Sequence, residues 1–100
     1  MNVVITEPAF FDLEDIALYI AKDNPGRAES FVDELVNAAH ELAERPLVYQ
    51  LVPRYEDLGV RRRPYGNYLI FYTVRTDQIV IQRILNGAQD YQAILFPDNG

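Results

Sequence analysis

The chain has no cysteine, one serine (Ser30), one histidine (His40) and one lysine (Lys22). Without cysteine there is no disulfide, no thiolate nucleophile and no cysteine-ligated zinc, and a reducing compartment, the cytoplasm, is the expected setting. A Ser-His-Asp hydrolase would have to be assembled from single copies with no tuning partner, so that chemistry is set aside. His40 lies about 140° from Leu35 on a helical wheel and is expected to face solvent rather than ligate. There is no phosphate-cradling glycine pattern, no two-histidine metal spacing and no calcium loop, so neither metal nor cofactor is expected. No apolar run approaches the roughly 18 residues that a membrane span requires. The N-terminus runs from Val3-Val4-Ile5 straight into Glu7 and Pro8, without the basic region and apolar core of a signal peptide.

What is present is a chain of 100 residues, 49% of them hydrophobic, expected to fold as a single domain over residues 1–96 with a flexible tail over 97–100. A chain of this size buries roughly two-thirds of its unfolded surface and needs no staple. Its formal net charge of -6 is unevenly spread. Residues 1–58 carry twelve acids and four bases, whereas residues 59–100 carry five arginines and three acids. So acidic a chain is a poor nonspecific binder of nucleic acid, because that affinity comes from neutralising phosphates.

Met1 to Thr6 reads as a strand rich in β-branched residues. Pro8 then falls in a first helical turn capped by Thr6 or Glu7. Ala9, Leu13, Ile16, Ala17 and Ile20 form one apolar stripe, which predicts a helix over about 8–22. Asn24-Pro25 restarts a helix, and Ala28, Phe31, Val32, Leu35, Ala39 and Leu42 carry it to Pro46. So short a connection predicts an antiparallel helical hairpin. Residues 46–58 read as a loop anchored by Leu47, Leu51 or Tyr55. Strands at about 59–63, 67–75 and 79–86 follow as a meander. The expected class is α+β, in the order β-α-α-β-β-β: a helical hairpin packed on a small antiparallel sheet, with a short C-terminal helix over 90–96.

The carboxylates Asp12, Asp15, Asp33, Glu34, Glu41 and Glu44 read as a solvated helix surface rather than a hydrolytic pair or a cation site. Tyr68 and Tyr72, four apart in one strand, share a face with Ile70 and read as core. The arginines ask for more. Arg62 faces opposite to Arg61 and Arg63, and Arg83 is expected to share a face with Ile81 and Leu85. Arg62 or Arg83 pairs with a helix acid, or Arg61, Arg62, Arg63 and Arg83 form a patch that binds the carboxylates or phosphates of a partner.

A family resemblance rests on Ala9, Asp12-Leu13, Ile16 and Tyr19-Ile20-Ala21; on Asn24-Pro25 with Ala28 and Phe31; and on Leu42-Ala43 with Pro46. It continues through Gly59-Val60-Arg61-Arg62, Tyr68-Leu69-Ile70-Phe71-Tyr72 and Arg83-Ile84-Leu85-Asn86-Gly87-Ala88-Gln89-Asp90. In this order the chain resembles the ParE branch of the ParE/RelE superfamily of type II toxin–antitoxin toxins. The resemblance implies a cognate antitoxin, encoded beside this gene, that wraps the toxin. It implies as target either DNA gyrase, for ParE-like members, or ribosome-bound messenger RNA, which RelE-like members cut.

RNA cleavage needs a base, a cation and an acid. Here the one lysine lies at the end of the first helix, and arginine is a poor base because its pKa exceeds about 12. Leu69 stands where the RelE-like branch carries an arginine, Gln89 aligns with a later arginine, and Leu95 with the terminal tyrosine unless Tyr91 replaces it; Arg62 alone matches a basic position. The reading is therefore a non-enzymatic gyrase inhibitor. Its alternatives are a RelE-like messenger RNA endoribonuclease and a non-toxic interaction module of the same fold. The four arginines are expected to bind the antitoxin, and Tyr91, Ile94, Leu95 and Phe96, if exposed, to contact the target.

Overall fold

The computed structural model describes residues 1–99. Strand β1 (Asn2–Ile5) leads into helices α1 (Glu7–Ala21) and α2 (Pro25–Glu41), followed by strands β2 (Val60–Tyr65), β3 (Tyr68–Val74) and β4 (Gln78–Asn86) and the short helix α3 (Tyr91–Leu95). This is the expected α+β order, with helices on a four-stranded sheet. Pro97–Asn99 form a 3-10 turn, and Gly100, the end of the expected tail, lies outside the described residues.

Both helices start where their caps dictate. The Thr6 hydroxyl accepts from the Ala9 N–H, and the Asn24 side chain accepts from the Arg27 N–H, so each satisfies an amide that the first turn leaves without an intrahelical partner. Pro8 and Pro25 occupy first-turn positions where no donor is lost. α2 ends at Glu41 rather than at Pro46. Beyond it the amides of Ala43 and Glu44 bond three residues back, a tightening common in a last turn.

The strand order is β1-β4-β3-β2. β1 pairs with β4 in parallel, and the β2–β3 and β3–β4 pairs are antiparallel, so the sheet is mixed. Residues 6–77, including both helices, form the crossover that a parallel pair requires. β2 is an edge strand, which is why it continues through Pro64 to Tyr65, past the expected boundary. Gly66, at φ 56°, makes the tight turn into β3.

The core has two parts. One face of the sheet packs Ile70, Tyr72, Ile79, Ile81 and Ile84 against Ala9, Leu13, Ile16, Phe31 and Leu35 of the hairpin. The Phe31 ring lies 5.9 Å from that of Tyr65 and 5.7 Å from that of Tyr68. Tyr68, Ile70 and Tyr72 thus share the helix-covered face as expected. The smaller cluster joins Val52, Val60, Phe71, Leu85 and Phe96.

Ile81 and Leu85 belong to different clusters, which corrects the expected alternation. Phe71 pairs with Arg83 and Tyr72 with Ile81, so Gln82 is an extra residue in β4 and breaks the period of two. The Thr6 hydroxyl donates to the Ile81 carbonyl at 2.7 Å and lies 3.1 Å from that of Gln82, tying the bulge to the start of α1.

In the connection from α2 to β2, Tyr55 anchors and Leu51 bridges to Arg61, but Leu47 is exposed. The fully buried residue is Val52, followed by a Pro53-Arg54 turn closed by the Tyr55 N–H on the Val52 carbonyl.

Candidate functional site

The sheet positions each arginine, and the alternation of side chains sends them to different sides. Arg61 donates to the Tyr49 carbonyl at 2.7 Å and to that of Leu47 at 3.4 Å, so it holds the loop behind α2. Arg63 donates to the Ala38 carbonyl at 2.6 Å, pairs with Glu41 at 3.0 Å, and lies 5.4 Å from the centre of the Tyr49 ring. Arg62 points the other way and donates to the Tyr91 hydroxyl at 2.8 Å. The opposition of Arg62 to its two neighbours is as the alternation predicts.

Arg83 forms a bidentate pair with Asp12, Nε to Oδ2 at 2.8 Å and Nη2 to Oδ1 at 2.9 Å. Asp12 Oδ2 also accepts from the Ile84 N–H at 2.9 Å. The carboxylate holds the guanidinium above the ordinary arginine range, against the opposing effect of burial. Asp12 is buried, so the expectation of a solvated carboxylate is corrected there. The signal was available: Asp12 sits three residues after Ala9 and four before Ile16, on the apolar stripe itself. Glu34 is also more than a solvated charge. It pairs with Arg27 and accepts from the Tyr65 hydroxyl at 2.7 Å, and these contacts, Arg27 first, hold its carboxyl below the usual carboxylate range. Asp15, Asp33, Glu41, Glu44 and His40 are exposed as expected.

The four arginines are therefore not gathered into one patch. Each has a partner within the chain, and Arg62 meets Tyr91, a residue assigned on sequence to a different surface. The C-terminal residues also divide. Phe96 is buried and stacks on Tyr55, with ring centroids 4.3 Å apart. The Tyr91 ring lies 5.1 Å from Phe71, and Leu95 packs on the same cluster. Of the four, Ile94 is exposed, Tyr91 and Leu95 are half-buried and Phe96 is buried, so the expected exposure holds at Ile94, is partial at Tyr91 and Leu95 and is corrected at Phe96. The apolar side chains of the last three are used to cover the second face of the sheet.

Sequence reasoning passed over the outward side of α1, where Phe10, Phe11, Leu18 and Tyr19 are exposed. Their signal was that α1 carries large apolar residues around its whole circumference, although one stripe suffices to pack a surface helix. Among the described residues no group of three or more His, Cys, Asp or Glu could hold a metal ion, and no helix is long and apolar enough to cross a membrane.

A family model described as ParE toxin of type II toxin–antitoxin system, parDE, matches residues 3–91. No curated protein matches the chain by sequence. Among solved structures, the chromosomal ParDE system from P. aeruginosa superposes with a TM-score of 0.71 at 24% identity, covering 86% of this chain and 95% of that one. The toxin–antitoxin complex RelBE2 from Mycobacterium tuberculosis superposes with a TM-score of 0.64 at 24% identity, covering 85% and 95%. At this identity the two likenesses establish a shared fold.

Proposed function

Since the chain belongs to the family of ParE toxins of type II toxin–antitoxin systems, we propose that it acts by binding and inhibiting DNA gyrase and that a cognate antitoxin neutralises it. The match over residues 3–91 carries this reading. The engagement of the sheet arginines supports a binding rather than a cleaving role: Arg61, Arg63 and Arg83 hold a loop, α2 and α1 in place. The one lysine, Lys22, caps the far end of α1. A net charge of -6 opposes approach to RNA phosphate. In this reading Ile94 presents the exposed contact to the target, with Tyr91, Leu95 and Phe96 fixing α3 beneath it.

One contact favours a second reading, a RelE-like messenger RNA endoribonuclease. The Arg62 guanidinium and the Tyr91 phenol lie 2.8 Å apart, and such a pair offers charge stabilisation and a proton donor at one point. Induced expression with pulse labelling separates the two. Gyrase inhibition predicts that DNA synthesis falls before translation, with protein-linked chromosomal breaks and intact messages. Cleaved messages and an early fall in translation would instead establish the nuclease.

A further inference from the structure

Three of the described residues have a positive φ: Gly59 at 75°, Gly66 at 56° and Arg54 at 74°. Glycine meets the left-handed backbone without penalty, whereas Arg54 brings a Cβ against the following carbonyl. The conformation has a local cause. Pro53 and Arg54 are the central pair of a turn closed by the Tyr55 N–H on the Val52 carbonyl at 3.1 Å, and a positive φ at the second central position makes it the type II form. The Pro53 carbonyl, on the peptide between the central pair, accepts from Gln92 Nε2 at 3.2 Å. With the Tyr55 ring stacked on Phe96 at 4.3 Å, the turn and α3 are held together. All of this explains a left-handed residue at position 54. None of it explains an arginine there, since glycine is what such a position favours.

The side chain gives the fold nothing in return. Arg54 is exposed, and among the described residues it makes no side-chain hydrogen bond or ion pair. Backbone strain kept without a structural return points to function. Beside it Leu58 is 46% exposed, and Arg54, Tyr55, Asp57 and Leu58 bound a hollow of about 180 Å³. A guanidinium fork takes a carboxylate or a phosphate in two parallel hydrogen bonds. Charge separates these two occupants. Glu56 and Asp57 are exposed in the same segment and oppose a run of phosphates, which needs several cations to neutralise it, whereas a single carboxylate needs only the fork. We infer that Arg54 is a target-contact residue that takes an aspartate or glutamate side chain of gyrase, with Leu58 as the apolar wall beside it. The inference rests on the reading of the chain as a gyrase inhibitor, and adds to Ile94 a second contact and its chemistry.

The test uses the full chain in a supercoiling assay, with affinity for gyrase measured in parallel without DNA. Arg54→Gly relieves the backbone and removes the fork. It is expected to unfold at or above the wild-type temperature, yet to inhibit and to bind at least tenfold less well. Arg54→Lys keeps the charge without the fork, and Leu58→Ser removes the apolar wall; each is expected to weaken inhibition at least threefold. The control is Arg75→Ala, at another exposed arginine without a side-chain partner among the described residues, expected within twofold of wild type. Wild-type inhibition by Arg54→Gly would overturn the assignment, as would an equal loss in Arg75→Ala, which would reduce the effect to net charge. An Arg54→Gly chain that unfolds at a lower temperature would show that the side chain serves the fold, and would overturn it too. Weakened inhibition with unchanged affinity for DNA-free gyrase would give Arg54 to the DNA instead. Failure of the wild-type chain to inhibit gyrase would overturn the inhibitor reading and this inference with it, an outcome distinct from inhibition that ignores Arg54.

Discussion

Asp12 is the buried residue through which the acidic half of the chain pairs with the basic half. Its carboxylate takes both arms of Arg83 and the Ile84 amide, and truncating one member leaves the other charge with less water and no partner. Removing one partner of a buried pair costs about 3–5 kcal/mol; with Arg83 partly exposed, Asp12→Ala and Arg83→Ala are each expected at the low end, about 3 kcal/mol. Urea denaturation of both singles and the double should show that the double costs less than the sum; additive losses would contradict a direct coupling. Tyr72 gives a pH signature. Its hydroxyl donates to the Pro46 carbonyl at 2.9 Å, and burial pushes its pKa above the ordinary phenol value. A folded value raised above the unfolded one gives stability that is complete below the unfolded pKa and is lost as pH rises through the folded one. Tyr72→Phe is expected to lower stability at neutral pH by about 1 kcal/mol and to flatten the alkaline fall, as read from denaturation midpoints across pH. That Arg83 needed a partner was legible in the sequence. That the partner was Asp12 was not read, because Asp12, Glu14 and Asp15 together resemble a solvated face unless the wheel is centred on Ala9 and Ile16.

At the scale of elements, the parts that local chemistry decides were legible. Thr6 with Pro8 and Asn24 with Pro25 start the helices, the apolar stripes set their lengths, and the turns divide the last three strands. What tertiary packing decides was not. The extra residue at Gln82 has no local mark, since it depends on the Thr6 hydroxyl arriving from 75 positions away at the Ile81 carbonyl, and it exchanges the faces of everything after it in β4. The parallel placement of β1 beside β4 is likewise a property of the assembled sheet. The role of α3 is similar: its apolar residues were read as a partner surface, whereas most of them close the second core over Phe71 and Leu85. Phe96→Ala should therefore destabilise the chain by about 3 kcal/mol in urea denaturation. Ile94→Ser, at the exposed position, should change stability by no more than about 0.5 kcal/mol while reducing gyrase inhibition at least tenfold. Full inhibition by Ile94→Ser would remove α3 from the target surface.

For the whole molecule, the charge asymmetry seen in the sequence becomes a division of labour. Four of the five arginines of the C-terminal half, all but the exposed Arg75, are used inward, fixing the hairpin, the loop behind α2 and α3 to the sheet. The carboxylates of the N-terminal half stay largely outward, around an apolar face that the core does not use. The family match over residues 3–91, with the sheet arginines engaged in holding the fold, is the basis for reading the chain as an inhibitor. The most direct measurement adds the purified chain, free of antitoxin, to DNA gyrase with ATP and relaxed plasmid, and scores supercoiling together with linear DNA released by detergent and protease. Dose-dependent loss of supercoiling with accumulation of protein-linked linear plasmid, reversed by the antitoxin, is the predicted result. Unimpaired supercoiling by gyrase in the presence of excess folded chain would contradict it.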